Sequence, residues 1–311
     1  MRILVYGAGV IGCSLAADLS ASGRDVTLLA RGAWADTLER KGLTVKSAFF
    51  PRERTYRIPV IRELRADDRY DVIFTVMRYT QLESVFGALN ANVSENIVLV
   101  GNNLSVREHS RMLGGKNVMF AFYMAAGHRE ETRVVSVSLR NITMGDLCGV
   151  PSNRKLTEEI FRGTKTKAYC EPDMEDYLLC HAACVTPIGF ACYHCGGDLR
   201  KISGDRAYLN RMIDANIEGY RAIENAGHRI LPELDRNYAS PRYRRLCYAA
   251  YRLMCATKIG KICASDHALN AVEEMSAINE ALKRFFLTNG ASVPVYLELE
   301  KDASRYLASQ Y

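Results

Sequence analysis

A glycine-rich segment close to the start of the sequence constrains the fold more than any other feature. It follows the apolar run Arg2–Tyr6, which is typical of a buried strand, and precedes small and apolar residues that predict a helix. A GxGxxG motif in this setting is typical of a loop that binds a dinucleotide pyrophosphate at the helix N-terminus. The residues of the motif are Gly7, Ala8, Gly9, Val10, Ile11 and Gly12.

Each glycine of this loop has a predicted role. Gly7 permits the tight turn, Gly9 lets the backbone approach the pyrophosphate, and Gly12 lets the helix pack closely on the strand. The alternative is an ordinary strand–helix turn, and the flanking strand and helix patterns argue against it. We therefore expect a Rossmann-type dinucleotide site.

The end of the second predicted strand indicates which dinucleotide binds. NAD enzymes carry an acidic residue there, which binds the ribose hydroxyls. After the strand Asp25–Leu29, this sequence continues with Ala30, Arg31 and Gly32, and none of these is acidic. Because an arginine can pair with a 2′-phosphate, the sequence predicts NADP(H). The alternative is a surface arginine at a strand end.

Strand and helix patterns alternate through the N-terminal half of the sequence. Further strands are predicted at residues 70–76, 96–100, 118–125 and 134–144. Apolar strands that alternate with helices predict a parallel sheet covered by helices on both faces.

The pattern becomes helical from about residue 172. One helix is predicted over Asp173–Cys195, with a kink at Pro187, and apolar residues at a spacing of three and four predict others at 209–223 and 272–286. The predicted fold class is therefore an α/β Rossmann-type N-terminal domain followed by an all-α C-terminal domain. The predicted domain limits are 1–170 and 171–311.

Composition and charge restrict the classes of function. A net charge of +6 over 311 residues is too small and too dispersed to indicate nucleic acid binding. The basic stretch Arg236–Arg252 is interpreted as an amphipathic helix with a solvated face, or as an acid-substrate or dimer surface. Because no apolar run is long enough to span a membrane and no signal peptide is recognisable, we expect a cytoplasmic protein.

One group of cysteines has spacing that raises the question of a metal or redox site. Structural zinc sites usually combine two ligand pairs with turn residues between them, whereas these cysteines lie in an apolar helical pattern. We therefore expect buried thiols and no metal. The group consists of Cys180, Cys184, Cys192 and Cys195, with His181 and His194 nearby.

Several motifs beyond the glycine loop carry a family resemblance. They are Ala30-Arg31-Gly32, Met77-Arg78-Tyr79-Thr80-Gln81, Gly101-Asn102-Asn103-Leu104, Thr143-Met144-Gly145-Asp146, Pro187, Gly196-Gly197-Asp198-Leu199 and Glu274.

Together with the loop, these motifs resemble the ketopantoate reductase (2-dehydropantoate 2-reductase) family over nearly the whole sequence. The resemblance implies an all-α second domain like the C-terminal domain of 6-phosphogluconate dehydrogenase. It also implies an NADPH site lined by the glycine loop, Arg31, Arg78, Gln81 and Asn102, with Asn102 near the nicotinamide and the reacting carbonyl. Asn103 stands where the family usually has glycine.

The sequence departs from the family on the first helix of the second domain. Alignment on Pro187 places Leu178 where the family has its catalytic lysine, and the segment 168–200 contains no lysine. The positions of the family's substrate-binding asparagines are occupied here by Ala182, Thr186 and Gly196.

A different residue must therefore supply the proton for a carbonyl reduction. His181 is the candidate, because it lies one helical turn after Leu178 and because histidine ordinarily titrates near neutral pH. The alternative is a histidine that packs on an apolar helix and bonds one backbone group.

A second candidate group comprises His267, Asn270 and Glu274. Spacings of three and four place all three on one face of a helix, and Glu274 matches a family glutamate that acts near the substrate. The alternative for this face is simple solvation. Ser265 is matched, by resemblance, to a serine that contacts the substrate.

The expected function is an NADPH-dependent reductase of a 2-oxo acid or a related carbonyl compound, acting as a homodimer. One alternative is an opine or β-hydroxyacid type of dehydrogenase on the same scaffold. The other is a non-catalytic NADP(H)-binding module.

Overall fold

The structure, a computed structural model, describes residues 1–308. The chain divides into two compact units, of which the first is Met1–Glu175 and the second begins at Asp176. The domain limits 1–170 and 171–311 stay a prediction. They refer to segments that fold independently, whereas the two units are defined by compactness alone.

Ten strands within residues 1–308 form one mixed sheet, all in the first unit. Its order is β4-β3-β9-β8-β7-β6-β1-β2-β5, and β10 pairs with β9. The strands are β1 Arg2–Tyr6, β2 Asp25–Leu29, β3 Leu43–Ser47, β4 Glu53–Tyr56, β5 Val60–Ile61, β6 Val72–Val76, β7 Asn96–Val100, β8 Asn117–Arg129, β9 Val134–Gly145 and β10 Lys167–Glu171.

The centre of the sheet is parallel, with neighbours β5-β2-β1-β6-β7-β8. From β1 the chain passes to β2 on one side and later returns to β6 on the other side. This reversal makes the carboxyl edge between β1 and β6 a topological switch point, where open α/β sheets bind ligands. The helices of this unit are α1 Val10–Ser20, α2 Gly32–Lys41, α3 Phe86–Ala91, α4 Val106–Met112 and α5 Arg154–Phe161.

The predicted parallel sheet occurs at this centre, whereas the sheet as a whole is mixed. β9 runs antiparallel to β8, and β4 runs antiparallel to β3. The long strands β8 and β9 curve over α1, where Ser14 Oγ lies 3.0 Å from Ser136 Oγ and the Tyr123 hydroxyl donates to Asp18 at 2.5 Å. The result is a Rossmann-like half-barrel with α1 in its core.

The second unit is helical, as predicted. α6 continues through Pro187, and short 3-10 helices follow at Leu199–Ile202 and Glu233–Asp235. No helix in the described part of the chain combines the length and apolar character needed to cross a membrane. The helices are α6 Met174–His194, α7 Arg206–Asn225, α8 Pro241–Ala256, α9 Lys258–Gly260, α10 Asp266–Asn270, α11 Val272–Thr288 and α12 Pro294–Ala308, with a π-helix at Lys261–Ser265.

Candidate functional site

The glycine loop joins β1 to α1 through contacts that tolerate no side chain at two positions. Gly7 has a φ of +122°, and a Cβ there would lie 2.2 Å from the carbonyl oxygen of Val76. A Cβ on Gly12 would lie 1.9 Å from the carbonyl oxygen of Gly7. Gly9 differs, because no described atom beyond its immediate neighbours lies within 4 Å of a Cβ built there. The space above Gly9 is therefore open to a ligand.

The N-terminus of α1 faces this open space with unpaired backbone donors. The first hydrogen bond of the helix runs from Cys13 N to the Gly9 carbonyl at 2.9 Å. The amides of Val10, Ile11 and Gly12 precede it and have no intrahelical acceptor. The first turn contains no acidic residue. These features suit an anion such as a pyrophosphate.

Arg31 lies at the carboxyl end of β2, where it precedes the first turn of α2. Its Nη2 donates to the hydroxyl of Tyr6 at 3.0 Å, and the side chain is exposed. No carboxylate of the described residues pairs with it. The two acidic residues of α2, Asp36 and Glu39, pair with Arg62 instead. The positive charge of Arg31 is therefore available to a ligand.

Two further residues at this end of the sheet were missed by the sequence analysis. Trp34 Nε1 donates to the Ala8 carbonyl at 2.9 Å and ties α2 to the glycine loop. The Arg129 guanidinium lies over the Trp34 ring, 5.1 Å from its centroid. The only tryptophan of the sequence, three residues after Arg31, was the available signal for Trp34. Arg129 is distant in sequence and gave none.

The other residues predicted to line the cofactor site follow β6 and β7 at the same carboxyl edge. Arg78 and Gln81 are exposed at the start of the 3-10 helix Tyr79–Val85. Asn102 is half-buried, and its Oδ1 is a buried acceptor with no hydrogen-bond partner among the described residues. An orphaned acceptor, an open glycine and a free helix N-terminus along one edge fit a dinucleotide.

In the second unit, His181 and His267 lie close enough for their charges to interact. Burial lowers the pKa of His181 to about 4, and the charge of His267 adds to this effect. The ring of His181 also stacks on Tyr177, with 6.5 Å between centroids. His181 is therefore neutral near pH 7, in contrast to the expectation that it titrates close to neutrality.

His267 and Glu274 are brought together, although not on one helix. α10 ends at Asn270, Ala271 leaves the helical conformation, and α11 begins at Val272. The prediction of one continuous helical face was therefore wrong. His267 Nε2 still lies 3.9 Å from Oε2 of the buried Glu274.

The side chains of Ser265 and Asn270 both form hydrogen bonds within the helical unit. Ser265 is buried, and its hydroxyl donates to the Cys192 sulfur at 3.7 Å. Asn270 Nδ2 donates to the carbonyl of Asp266 at 2.6 Å. Both residues remain predictions as substrate contacts.

The cysteines are all free thiols. Within the described residues, no three His, Cys, Asp or Glu side chains are grouped so that they could hold a metal ion. Burial raises the pKa of Cys192 to about 12 and that of Cys195 to about 11, so both stay protonated near pH 7.

A comparison with models of protein families finds a match within the first unit. Residues 3–149 match the family model "Ketopantoate reductase PanE/ApbA". The first unit carries a ketopantoate reductase domain. No curated protein sequence matches the chain.

Several solved structures resemble this chain in fold along its whole length. A 2-dehydropantoate 2-reductase from Geobacter metallireducens has a TM-score of 0.80 at 16% identity, covering 98% of this chain and 99% of that one. D-mandelate dehydrogenase with NADH and anilino(oxo)acetate has a TM-score of 0.77 at 14% identity, with 99% of both chains covered. A ketopantoate reductase from Ralstonia eutropha has a TM-score of 0.76 at 15% identity, covering 100% and 99%. At these identities the likeness concerns the fold.

The α6 positions that the resemblance matches to polar family residues are core positions in this chain. Leu178 is 2% exposed, while Ala182 and Thr186 are each 1% exposed. The Thr186 hydroxyl donates to the Ala182 carbonyl at 2.7 Å, so it is satisfied within its own helix. Gly196 follows the end of α6 with a φ of +60°. At the positions that the resemblance matches to the family's lysine and asparagines, this chain therefore has no amine or amide, and the only hydroxyl there, that of Thr186, is bonded within α6.

Proposed function

We propose that this protein is an NADPH-dependent reductase of a 2-oxo acid or a related carbonyl compound. The observation that carries the proposal is the carboxyl edge of the sheet. There, open space above Gly9, the free amides of α1 and the orphaned oxygen of Asn102 follow one another across the switch point. The family match over residues 3–149 and the structural likeness to reductases and a dehydrogenase of oxo or hydroxy acids support the same reaction class.

Arg31 supports NADPH as the preferred cofactor. Its charge lies at the end of β2, where a ribose 2′-phosphate would be placed, and the acid that binds a free ribose diol is absent. Arg129 on Trp34 adds positive charge beside the same helix start. NADH stays the competing cofactor, because a structure of D-mandelate dehydrogenase contains it on the same fold.

A bound NADPH would supply the hydride. The protein must then stabilise the developing alkoxide and provide a proton. We assign the proton to His181, whose pKa an anionic substrate would raise towards neutrality. Glu274 would hold His267 beside it through the 3.9 Å contact. Ser265 and Asn270 stay proposed substrate contacts, and Asn102 stays a proposed catalytic residue near the nicotinamide.

A non-catalytic NADP(H)-binding module is the second candidate function. The observation in its favour is the burial of Leu178, Ala182 and Thr186 at the family's polar positions. A dehydrogenase of the opine or β-hydroxyacid type is the third, and it would use His181 or His267 as its acid–base group.

Two measurements separate the two catalytic candidates from the non-catalytic module. Calorimetric titration with NADPH and NADH tests the cofactor, and we expect tighter binding of NADPH. NADPH oxidation is then followed with a panel of 2-oxo acids that includes ketopantoate. Turnover that His181→Ala reduces by about a hundredfold supports the reductase and its proton donor. NADPH binding without turnover of any substrate supports the module, and absence of dinucleotide binding contradicts all three.

The assembly and location complete the proposal. We propose a homodimer in the cytoplasm that acts on a small oxo acid and binds neither nucleic acid nor membranes. Sedimentation of the purified protein checks the dimer.

A further inference from the structure

The loop that follows β7 contains a second asparagine, and only one of the two polar atoms of its side-chain amide is hydrogen-bonded. Asn103 is 2% exposed, and its Oδ1 accepts a hydrogen bond from the backbone N–H of Ser105 at 3.0 Å. Only the oxygen of the amide can accept this bond, so the orientation of the side chain is fixed. Its Nδ2 is buried and has no acceptor among the described residues.

Asn102 and Asn103 therefore present complementary unpaired groups. The buried Oδ1 of Asn102 is an acceptor without a donor, and the buried Nδ2 of Asn103 is a donor without an acceptor. Buried polar atoms are nearly always paired in native proteins, because an unpaired one has lost its hydrogen bonds to water. A ligand that carries one donor and one acceptor would pair both atoms.

The loop is held in place by the neighbouring loop. The Ser105 hydroxyl lies 2.7 Å from the hydroxyl of Tyr79, which follows β6. Asn103 thus fixes Ser105, and Ser105 is joined to the segment after β6. This network positions Asn103 before any ligand binds.

Their place in the sheet indicates which part of the dinucleotide they meet. Arg31 marks the adenosine end at β2, and the phosphates belong to the glycine loop after β1. Asn102 and Asn103 follow β7, beyond β6, on the opposite side of the switch point. In this order the group that reaches them is the nicotinamide.

We propose that Asn102 and Asn103 together bind the carboxamide of the nicotinamide ring. Asn102 Oδ1 accepts from the carboxamide NH₂, and Asn103 Nδ2 donates to the carboxamide oxygen. The inference rests on the proposed function and deepens it, because it assigns a cofactor-positioning role to Asn103. The glycine usual in the family at this position has no side chain to serve as that donor.

The experiment compares two ligands by calorimetry on the full-length protein. NADPH carries the carboxamide, whereas 2′,5′-ADP carries the adenosine 2′-phosphate but no nicotinamide. Asn103→Ser retains an oxygen that can accept from Ser105 N, and it cannot reach the donor position. We expect it to weaken NADPH about tenfold and to leave 2′,5′-ADP unchanged.

Two further variants serve as a repeat and as a control for this experiment. Asn103→Asp keeps the acceptor for Ser105 N and removes the donor, so it must repeat the selective loss of NADPH affinity. Asn90→Asp makes the same change on the exposed surface of α3, where Asn90 Nδ2 donates to the Met112 carbonyl, and it must leave both affinities unchanged.

An equal loss for both ligands would overturn the inference, because it would show that Asn103 only supports the loop. Unchanged affinity for NADPH in both Asn103 variants would also overturn it, while normal binding by the wild type would leave the proposed function intact. Failure of the wild type to bind either ligand would refute the proposed function and this inference together.

Discussion

The two units of the protein use different chemistry at their candidate sites. In the first unit the site consists mostly of backbone: a glycine turn, a free helix N-terminus and the open space above Gly9. In the second unit the resemblance implies a site of side chains, and three of its positions on α6 are Leu178, Ala182 and Thr186, all buried. A backbone site restricts sequence through sterics, because a side chain at Gly7 or Gly12 would collide with the backbone. A side-chain site can be replaced residue by residue without loss of the fold.

The most severe test of this contrast alters the backbone site itself. Gly12→Ala places a Cβ 1.9 Å from the Gly7 carbonyl oxygen, so the loop or α1 must move. We expect a loss of about 4 kcal/mol or more in the free energy of unfolding, measured in urea, and loss of NADPH binding. Gly9→Ala is the matched control, because its Cβ meets open space. It should keep wild-type stability and weaken only NADPH. Equal stability of the two variants would contradict the steric argument.

Restoring the family lysine tests the second unit. Leu178→Lys places an ammonium group at a position that is 2% exposed. We expect the free energy of unfolding to fall by about 3–4 kcal/mol, because the charge is buried without a partner. Leu178→Met, which keeps the volume and the apolar character, should cost about 1 kcal/mol. A stable lysine variant that gains ketopantoate reduction would show that the position still faces a substrate.

The acid stability of the helical unit tests the surroundings of His181. Its pKa is lowered to about 4 in the folded protein, against about 6.5 in an unfolded chain. The unfolded state therefore binds more protons between these values, and stability should fall as the pH drops from about 6.5 to about 4, by about 3 kcal/mol in total. Above pH 6.5 this contribution is constant.

Urea unfolding at a series of pH values checks this. His181→Gln should remove most of the acid-dependent loss. His267→Gln should retain most of it, because burial is the larger cause of the shift. Parallel acid profiles for the wild type and His181→Gln would mean that His181 is not desolvated.

A smaller effect is expected at the adenosine end of the first unit. Arg31→Ala removes the charge available to the 2′-phosphate, so NADPH affinity should fall by about tenfold to a hundredfold while NADH affinity stays unchanged. Arg40→Ala removes the same charge from the last turn of α2 and should change neither affinity. Calorimetry measures both. An equal loss of NADPH and NADH in Arg31→Ala would argue against phosphate recognition.

Local patterns were sufficient for much of the fold. The strands at Arg2–Tyr6, Asp25–Leu29 and 96–100 occur where the sequence predicts them, as does the change to helices in the second half. The strands β3 and β4 were not predicted. β4 is largely charged and exposed, so its sequence does not indicate a strand. β3 forms by pairing with β9, which lies almost ninety residues away in the sequence and therefore gives no local pattern.

In the candidate sites, too, some features follow from the local sequence and others depend on residues distant in sequence. The roles predicted for Gly7 and Gly12 follow from sterics, and the structure shows the predicted close contacts. His267 and Glu274 were predicted to share one helical face, and the helix break at Ala271 was not predicted, because alanine ordinarily favours a helix. The low pKa of His181 depends on burial by residues distant in sequence, which spacing alone does not reveal.

Trp34 gives the protein an optical reporter of its own. It is the only tryptophan in the sequence, and its indole N–H is bonded to the glycine loop through the Ala8 carbonyl. Its fluorescence therefore comes from one place, beside the loop assigned to the dinucleotide, and energy transfer to a reduced nicotinamide ring would quench it. Cofactor occupancy can thus be followed while candidate substrates are added one after another, without labels and before any of them is known to react.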